Sequence, residues 1–114
     1  MIHARMSYDI KRGAVRLLLQ GHADAGPKGE DLICAAVSGL ALTAAESARQ
    51  MEKYGLLRRP PKVRLQKGDT IVLATAKEGV EAEVLLAFWT VQNGLFALAK
   101  RFPEHIQLEG VLRL

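Results

Sequence analysis

At 114 residues, with 49% apolar and 25% charged side chains, the chain has the size and balance of one globular domain able to bury its own core. A formal net charge of +4 permits contact with nucleic acid without demanding it, and a single cysteine excludes an internal disulfide. No apolar run reaches the ~18 uncharged residues of a membrane span, and no apolar segment beside Arg5 and Asp9 reads as a secretory signal, so a soluble cytoplasmic protein is expected.

Ile2, Ala4, Met6 and Tyr8 alternate with His3, Arg5, Ser7 and Asp9, the period of a strand with one buried face. A turn over 9–13 leads into a second alternation through Val15, Leu17 and Leu19, which makes a hairpin and leaves His22 just past its end. Ile33, Val37, Leu40, Ala44, Ala48 and Met51 recur at helical spacing, so the first helix is expected over 32–54, with Asp31 as its N-cap and Gly55 as its stop. Its six alanines imply a close approach to whatever packs on it. Pro60 and Pro61 close a linker. Val63 and Leu65, a turn at Lys67-Gly68-Asp69, and a return strand from Ile71 to Ala74 predict a second hairpin. Val84, Phe88, Val91, Leu95, Leu98 and Phe102 stripe a second helix over 80–102, with Trp89 and Phe96 off the stripe as a wider core face or a partner surface. Pro103 ends it, and a last strand runs from Ile106 to Leu112. The order ββα-ββα-β predicts an α+β two-layer sandwich, a mostly antiparallel sheet with two helices, in a single domain over 1–114.

The chemistry concentrates between His22 and Cys34. With Asp31 as N-cap, Cys34 falls at N3, in the first helical turn. A thiol there faces backbone N–H groups and the positive end of the helix dipole, which favour thiolate. His22 is then the proton acceptor and later the donor to a leaving amine, and first-turn N–H groups are candidates to hold an oxyanion. The bland alternatives are a small buried hydrophobe for Cys34 and a loop-bonded strand-end residue for His22, and the residues alone leave the readings level. Asp31 caps the helix and is a candidate to orient His22 or tune the thiol, although its charge opposes the thiolate. Ser38, one turn after Cys34, either reaches the site or bonds back to the helix. Asp24, Gly26, Gly29 and Glu30 form a substrate loop, with the glycines giving it a lid's freedom. His3 and His105 have no context that brings them to Cys34 and read as surface or packing residues. One cysteine and one histidine lack the paired spacing of a zinc motif, so neither metal nor cofactor is expected.

A basic stretch runs through Lys53, Arg58, Arg59, Lys62, Arg64 and Lys67. It is able to track phosphates, but it has no interleaved aromatic for stacking, so a solvated linker is preferred and nucleic acid is not expected as a partner.

Gly21-His22-Ala23, then Gly29, Asp31 and the run from Leu32 to Ser38, resemble the signature of the ribosomal-processing cysteine proteases, the Prp family. The resemblance extends over nearly the whole chain, including Phe102-Pro103-Glu104-His105-Ile106 after the second helix. It implies a homodimeric cytoplasmic cysteine endopeptidase that removes a short N-terminal extension from a large-subunit ribosomal protein. His22 and Cys34 carry over as the catalytic dyad, Asp31 and Ser38 as supporting residues. The loop over 24–27 lacks the aromatic that family loops more often hold, and His105 stands where tyrosine is expected. Asp24 and Glu30 would then attract a basic ribosomal substrate. The competing reading is a non-catalytic ribosome- or RNA-associated module using Arg58 to Lys67. A thiol-transfer enzyme is a third, weakened by the lack of a resolving cysteine.

Overall fold

The computed structural model of the chain describes residues 1–24, 26 and 31–113. Its elements are β1 (Ile2–Asp9), β2 (Ala14–Gly21), α1 (Leu32–Lys53), β3 (Lys62–Gln66), β4 (Asp69–Thr75), α2 (Glu81–Arg101) and β5 (Ile106–Gly110). This is the order the periodicities predict. The strands form one sheet, β3-β4-β2-β1-β5, in which every neighbour pair is antiparallel except β1 and β5. The α+β two-layer sandwich is therefore present, with a parallel edge that the alternation pattern does not specify.

The register puts the buried residues in line. Ala4 pairs with Leu19, Met6 with Leu17, Leu17 with Val72, Val15 with Ala74 and Ile2 with Ile106. All are buried and form the face on which both helices lie. Strand directions make the helices antiparallel, with α1 over β3 and β4 and α2 over β2 and β5. Ala44, Ala45 and Ala48 are fully buried, and the absence of larger side chains lets α1 lie close to the sheet. The helices meet where Leu40 packs on Gly94, whose missing side chain makes room: a Cβ there would lie 2.6 Å from Leu40 Cδ2. Both helices reach the length and apolar composition of a membrane-crossing helix, beyond what the uncharged runs in the sequence imply. Here their apolar faces lie against the sheet.

Three expected core positions of the helices differ, among them Leu98, which is half-buried against the core. Leu40 is half-buried at the helix–helix contact, and Phe102 is exposed because it sits at the C-cap, where the chain leaves the helix axis. Trp89 packs against the core as a wider face, while Phe96 stays at the surface.

The start of β1, the end of β2, the β3–β4 turn, the start of α1 and the start of β5 converge at one end of the sheet. Ile2 pairs with both Gly21 and Ile106, and Gln20 with Asp69. His22 and Cys34 lie at this end.

Candidate active site

Asp31 caps α1 as its position predicts. Its side chain accepts a hydrogen bond from the Cys34 N–H at 2.9 Å, an N-cap to N3 bond. The cap settles where the cysteine sits: at N3, half-buried, with its Sγ turned toward the end of β2. There the Ala23 N–H donates to Sγ at 3.3 Å.

The segment 21–23 that carries His22 is held on every side. The Gly21 N–H donates to the Gly68 carbonyl at 3.0 Å, tying the end of β2 to the β3–β4 turn. The Met1 amine donates to the His22 carbonyl. The Ala23 carbonyl accepts from His105 Nδ1 at 2.7 Å. A carbonyl only accepts, so this bond puts a proton on Nδ1 of His105. His105 is held in turn, its N–H donating to Phe102 and its carbonyl accepting from Ile2. The His22 ring lies over Gly68, which takes φ +75°; a Cβ there would stand 2.7 Å from Nε2. Gly68 thus serves the turn and the histidine together.

His22, Cys34 and Ser38 line one cavity of about 240 Å³, together with Ile2, Leu19, Gly68 and Thr70. The electrostatics of the thiol differ from the expectation at a helix start. Burial pushes the Cys34 thiol above its ordinary value. The Ala23 N–H draws it down, and the Asp31 carboxylate, followed by Asp24, pushes it up again. The net shift is upward, because partial desolvation and two carboxylates outweigh one backbone donor. This environment favours the protonated thiol over a preformed thiolate. Cys34's own N–H is engaged by Asp31, and the donor that reaches the sulfur, the Ala23 N–H, comes from outside the helix, just past the end of β2.

The profile of the cysteine protease Prp family matches residues 1–107. The chain belongs to this family of cysteine proteases. Two crystal structures of an essential ribosomal processing protease Prp from Staphylococcus aureus share its fold. One holds a covalently linked product peptide, with TM-score 0.71 and 22% identity; the other holds a substrate peptide, with TM-score 0.67 and 20% identity. Each comparison covers 96% of this chain and 99% of the other. The crystal structure of SMU.848 from Streptococcus mutans gives TM-score 0.67 at 23% identity, covering 99% of this chain and 96% of that one. No match is found among curated proteins.

In this Prp-family protease the fold brings His22, Cys34, Asp31 and Ser38 to one end of the sheet. Asp24 is exposed at φ 54°, a left-handed conformation that Asp tolerates, 3.5 Å from the Met1 amine. Gly26 is exposed. Gly29 and Glu30 lie outside the described residues. Three contributors escape a reading of the sequence: the Ala23 N–H, the Gly68 seat and His105. His105 reads as a packing residue because 82 positions separate it from Ala23. The one signal available is its occurrence where the resemblance leads one to expect tyrosine, another ring with a polar hydrogen. His3 pairs instead with Glu109 at 3.3 Å on β5. Among the described residues no group of three His, Cys, Asp or Glu side chains is placed to hold a metal.

Proposed function

We propose that this protease removes the short N-terminal extension of a large-subunit ribosomal protein, with Cys34 as nucleophile and His22 as general base and then acid. The observation that carries the reading is that the chain's single cysteine lines the same cavity as His22. A cysteine protease with one cysteine has one candidate nucleophile. The substrate class is supported by the Staphylococcus aureus proteins of this fold, described as ribosomal processing proteases in complex with peptides.

The raised thiol fits proton transfer at the moment of attack. The thiol proton passes to His22 as Sγ bonds the scissile carbonyl carbon and the carbonyl electron pair moves to oxygen. The oxyanion collapses and expels the amine, which takes the proton from His22 and leaves a thioester. Water then attacks the thioester with His22 again as base, releasing the acid and restoring the thiol. The Ala23 N–H steadies the sulfur while it carries charge. Asp31 fixes Cys34 through its backbone, and Ser38 lines the cavity. Asp24 adds negative charge beside the site, suited to a basic substrate. We take the working form to be a cytoplasmic homodimer, which light scattering at the assay concentration checks.

The test is a synthetic peptide spanning the extension and the mature start of that ribosomal protein, incubated with enzyme and read by mass spectrometry. Wild type cleaves at one bond. His22→Ala loses at least about a hundredfold in rate, the scale of a general base, and Cys34→Ser loses detectable cleavage. Cleavage by Cys34→Ser at the wild-type rate overturns the mechanism, and no cleavage by wild type overturns the substrate.

A further inference from the structure

The far end of the sheet carries a second concavity, of about 750 Å³, on the face that no helix covers. The two faces of the sheet are unlike. Behind the core residues, Arg5 pairs across with Leu18, Leu18 with Ile71, Arg16 with Leu73, Arg64 with Ile71 and Lys62 with Leu73. Leu18, Ile71 and Leu73 are half-buried, so this face has an apolar floor with cationic side chains standing around it.

The concavity gathers charge from two separate stretches of chain, 11–16 and 58–62. Lys11 and Arg12 come from the β1–β2 turn, Arg16 and Lys62 from strands, and Arg58 and Arg59 from the linker after α1. Against these six stands the carboxylate of Asp9. The local net charge of +5 exceeds the +4 of the whole chain, so the remainder of the surface is slightly negative. Asp9 is engaged in its own turn, accepting from the Lys11 and Arg12 N–H groups at 3.1 and 3.3 Å, with Arg12 Nε 3.7 Å away. Among the described residues, Lys11, Arg16, Arg58, Arg59 and Lys62 form no ion pair. Arg58 is also pre-positioned, its N–H on the Thr75 carbonyl at 2.9 Å and its Nε on the Ala76 carbonyl at 3.1 Å.

Unpaired like charges held together raise the energy of the free protein, and a polyanion relieves it. Four of the six are arginines, whose planar forks match phosphate oxygens. The aromatic in the lining, Tyr8, is half-buried and packed against the core, so bases find no exposed platform to stack on. The fit is to a phosphate backbone. A second copy of the chain would bring the same positive face against it, so like charges disfavour self-association there. We propose that this groove binds the phosphate backbone of an RNA helix. The choice of RNA rests on the ribosomal substrate proposed above; the groove itself does not. The strands set the groove roughly 20 Å from the dyad at about 3.3 Å per residue along β1, far enough for both sites to be occupied together.

The linker alone reads as a solvated connection because Arg58 to Lys67 lacks interleaved aromatics. Folding adds Lys11, Arg12 and Arg16 from 40 or more positions away, and the density of charge changes the reading.

The experiment titrates a labelled mixed-sequence RNA duplex with full-length protein by fluorescence anisotropy, at salt from about 50 to 200 mM. Wild type binds, with a log–log salt slope that counts the phosphates contacted. The triple variant Arg16→Gln, Arg59→Gln, Lys62→Gln weakens binding at least tenfold and flattens the slope by about 3. A matched triple variant elsewhere on the surface, Arg49→Gln, Lys100→Gln, Arg113→Gln, changes affinity less than threefold. Equal loss in the two triples overturns the groove. So does absence of binding by wild type, or displacement by polyglutamate or inorganic phosphate at the same charge concentration as unlabelled duplex. Tighter binding to a DNA duplex of the same sequence overturns the assignment to RNA. Peptide cleavage by the groove triple stays at the wild-type rate, and cleavage is scored separately, so failure of the groove and failure of the protease reading remain distinguishable.

Discussion

Asp31 acts on Cys34 in two opposed ways. Its carboxylate fixes the cysteine at N3 through the 2.9 Å backbone bond, and its charge discourages the thiolate the chemistry requires. Asparagine separates the two effects, since it caps as well as aspartate and carries no charge. Asp31→Asn is therefore expected to keep the fold's stability within about 0.5 kcal/mol and to lower the thiol's titration. Iodoacetamide labelling near neutral pH then runs several-fold faster than in wild type. Unchanged labelling would mean that the carboxylate does not oppose the thiolate. His105 acts through Ala23. Its Nδ1–H holds the Ala23 carbonyl, and the N–H of the same residue draws the Cys34 thiol down. His105→Phe keeps a ring and removes the donor. It is expected to lower kcat/KM about tenfold, the scale of a lost hydrogen bond of about 1.4 kcal/mol. The pH profile of Cys34 labelling shifts to higher pH as well, a readout that loss of packing alone would not move. A fall in activity with an unshifted profile would make His105 a packing residue after all.

At the scale of elements, the two helices are legible in the sequence almost to the residue. The apolar spacing and the Asp31 cap fix α1 at Leu32–Lys53, and the stripe ending before Pro103 fixes α2 at Glu81–Arg101. Their meeting point is not legible, because a glycine inside a helical pattern reads equally as a weakness or as a contact. The structure resolves it: Gly94 is the place where Leu40 fits. Gly94→Ala makes the two effects compete. Helix propensity gains about 0.8–1.0 kcal/mol, and overpacking costs about 1–3 kcal/mol when side chains must leave their rotamers. Leu40 Cδ2 at 2.6 Å and Cδ1 at 3.0 Å both have to shift to admit the new methyl. The variant is expected to lose about 1 kcal/mol in urea denaturation. In a Leu40→Ala background the same substitution should instead stabilise, because only the propensity gain remains. Stabilisation in the wild-type background would show that Leu40 moves aside freely.

At the scale of the molecule, sequence alternation says which face a residue occupies and not which strand lies beside it. That is why the buried faces of β1, β2 and β4 are readable in advance while the parallel pairing of β1 with β5 is not. The same limit hides the site. His22 and Cys34 are visible as residue types, but Gly68 and His105 reach them only because all five strands begin or end at one end of the sheet. Even the sign of the thiol's shift depends on that assembly, since its largest cause is burial and burial is a property of the whole fold. The consequence is global. An ordinary thiol titrates at about 8.5, and the folded Cys34 titrates higher. Between the two values the folded state keeps a proton that the unfolded chain has released, so the folded state binds more protons and stability falls as pH rises. The contribution is fully present below the ordinary thiol value and is lost as pH climbs through the raised folded one. Urea denaturation of wild type and Cys34→Ala across neutral to alkaline pH isolates it. The stability of wild type relative to the variant is expected to be flat near neutrality and to decline in the alkaline range. A difference that grew with pH would mean a depressed thiol, and with it a thiolate already formed before substrate arrives.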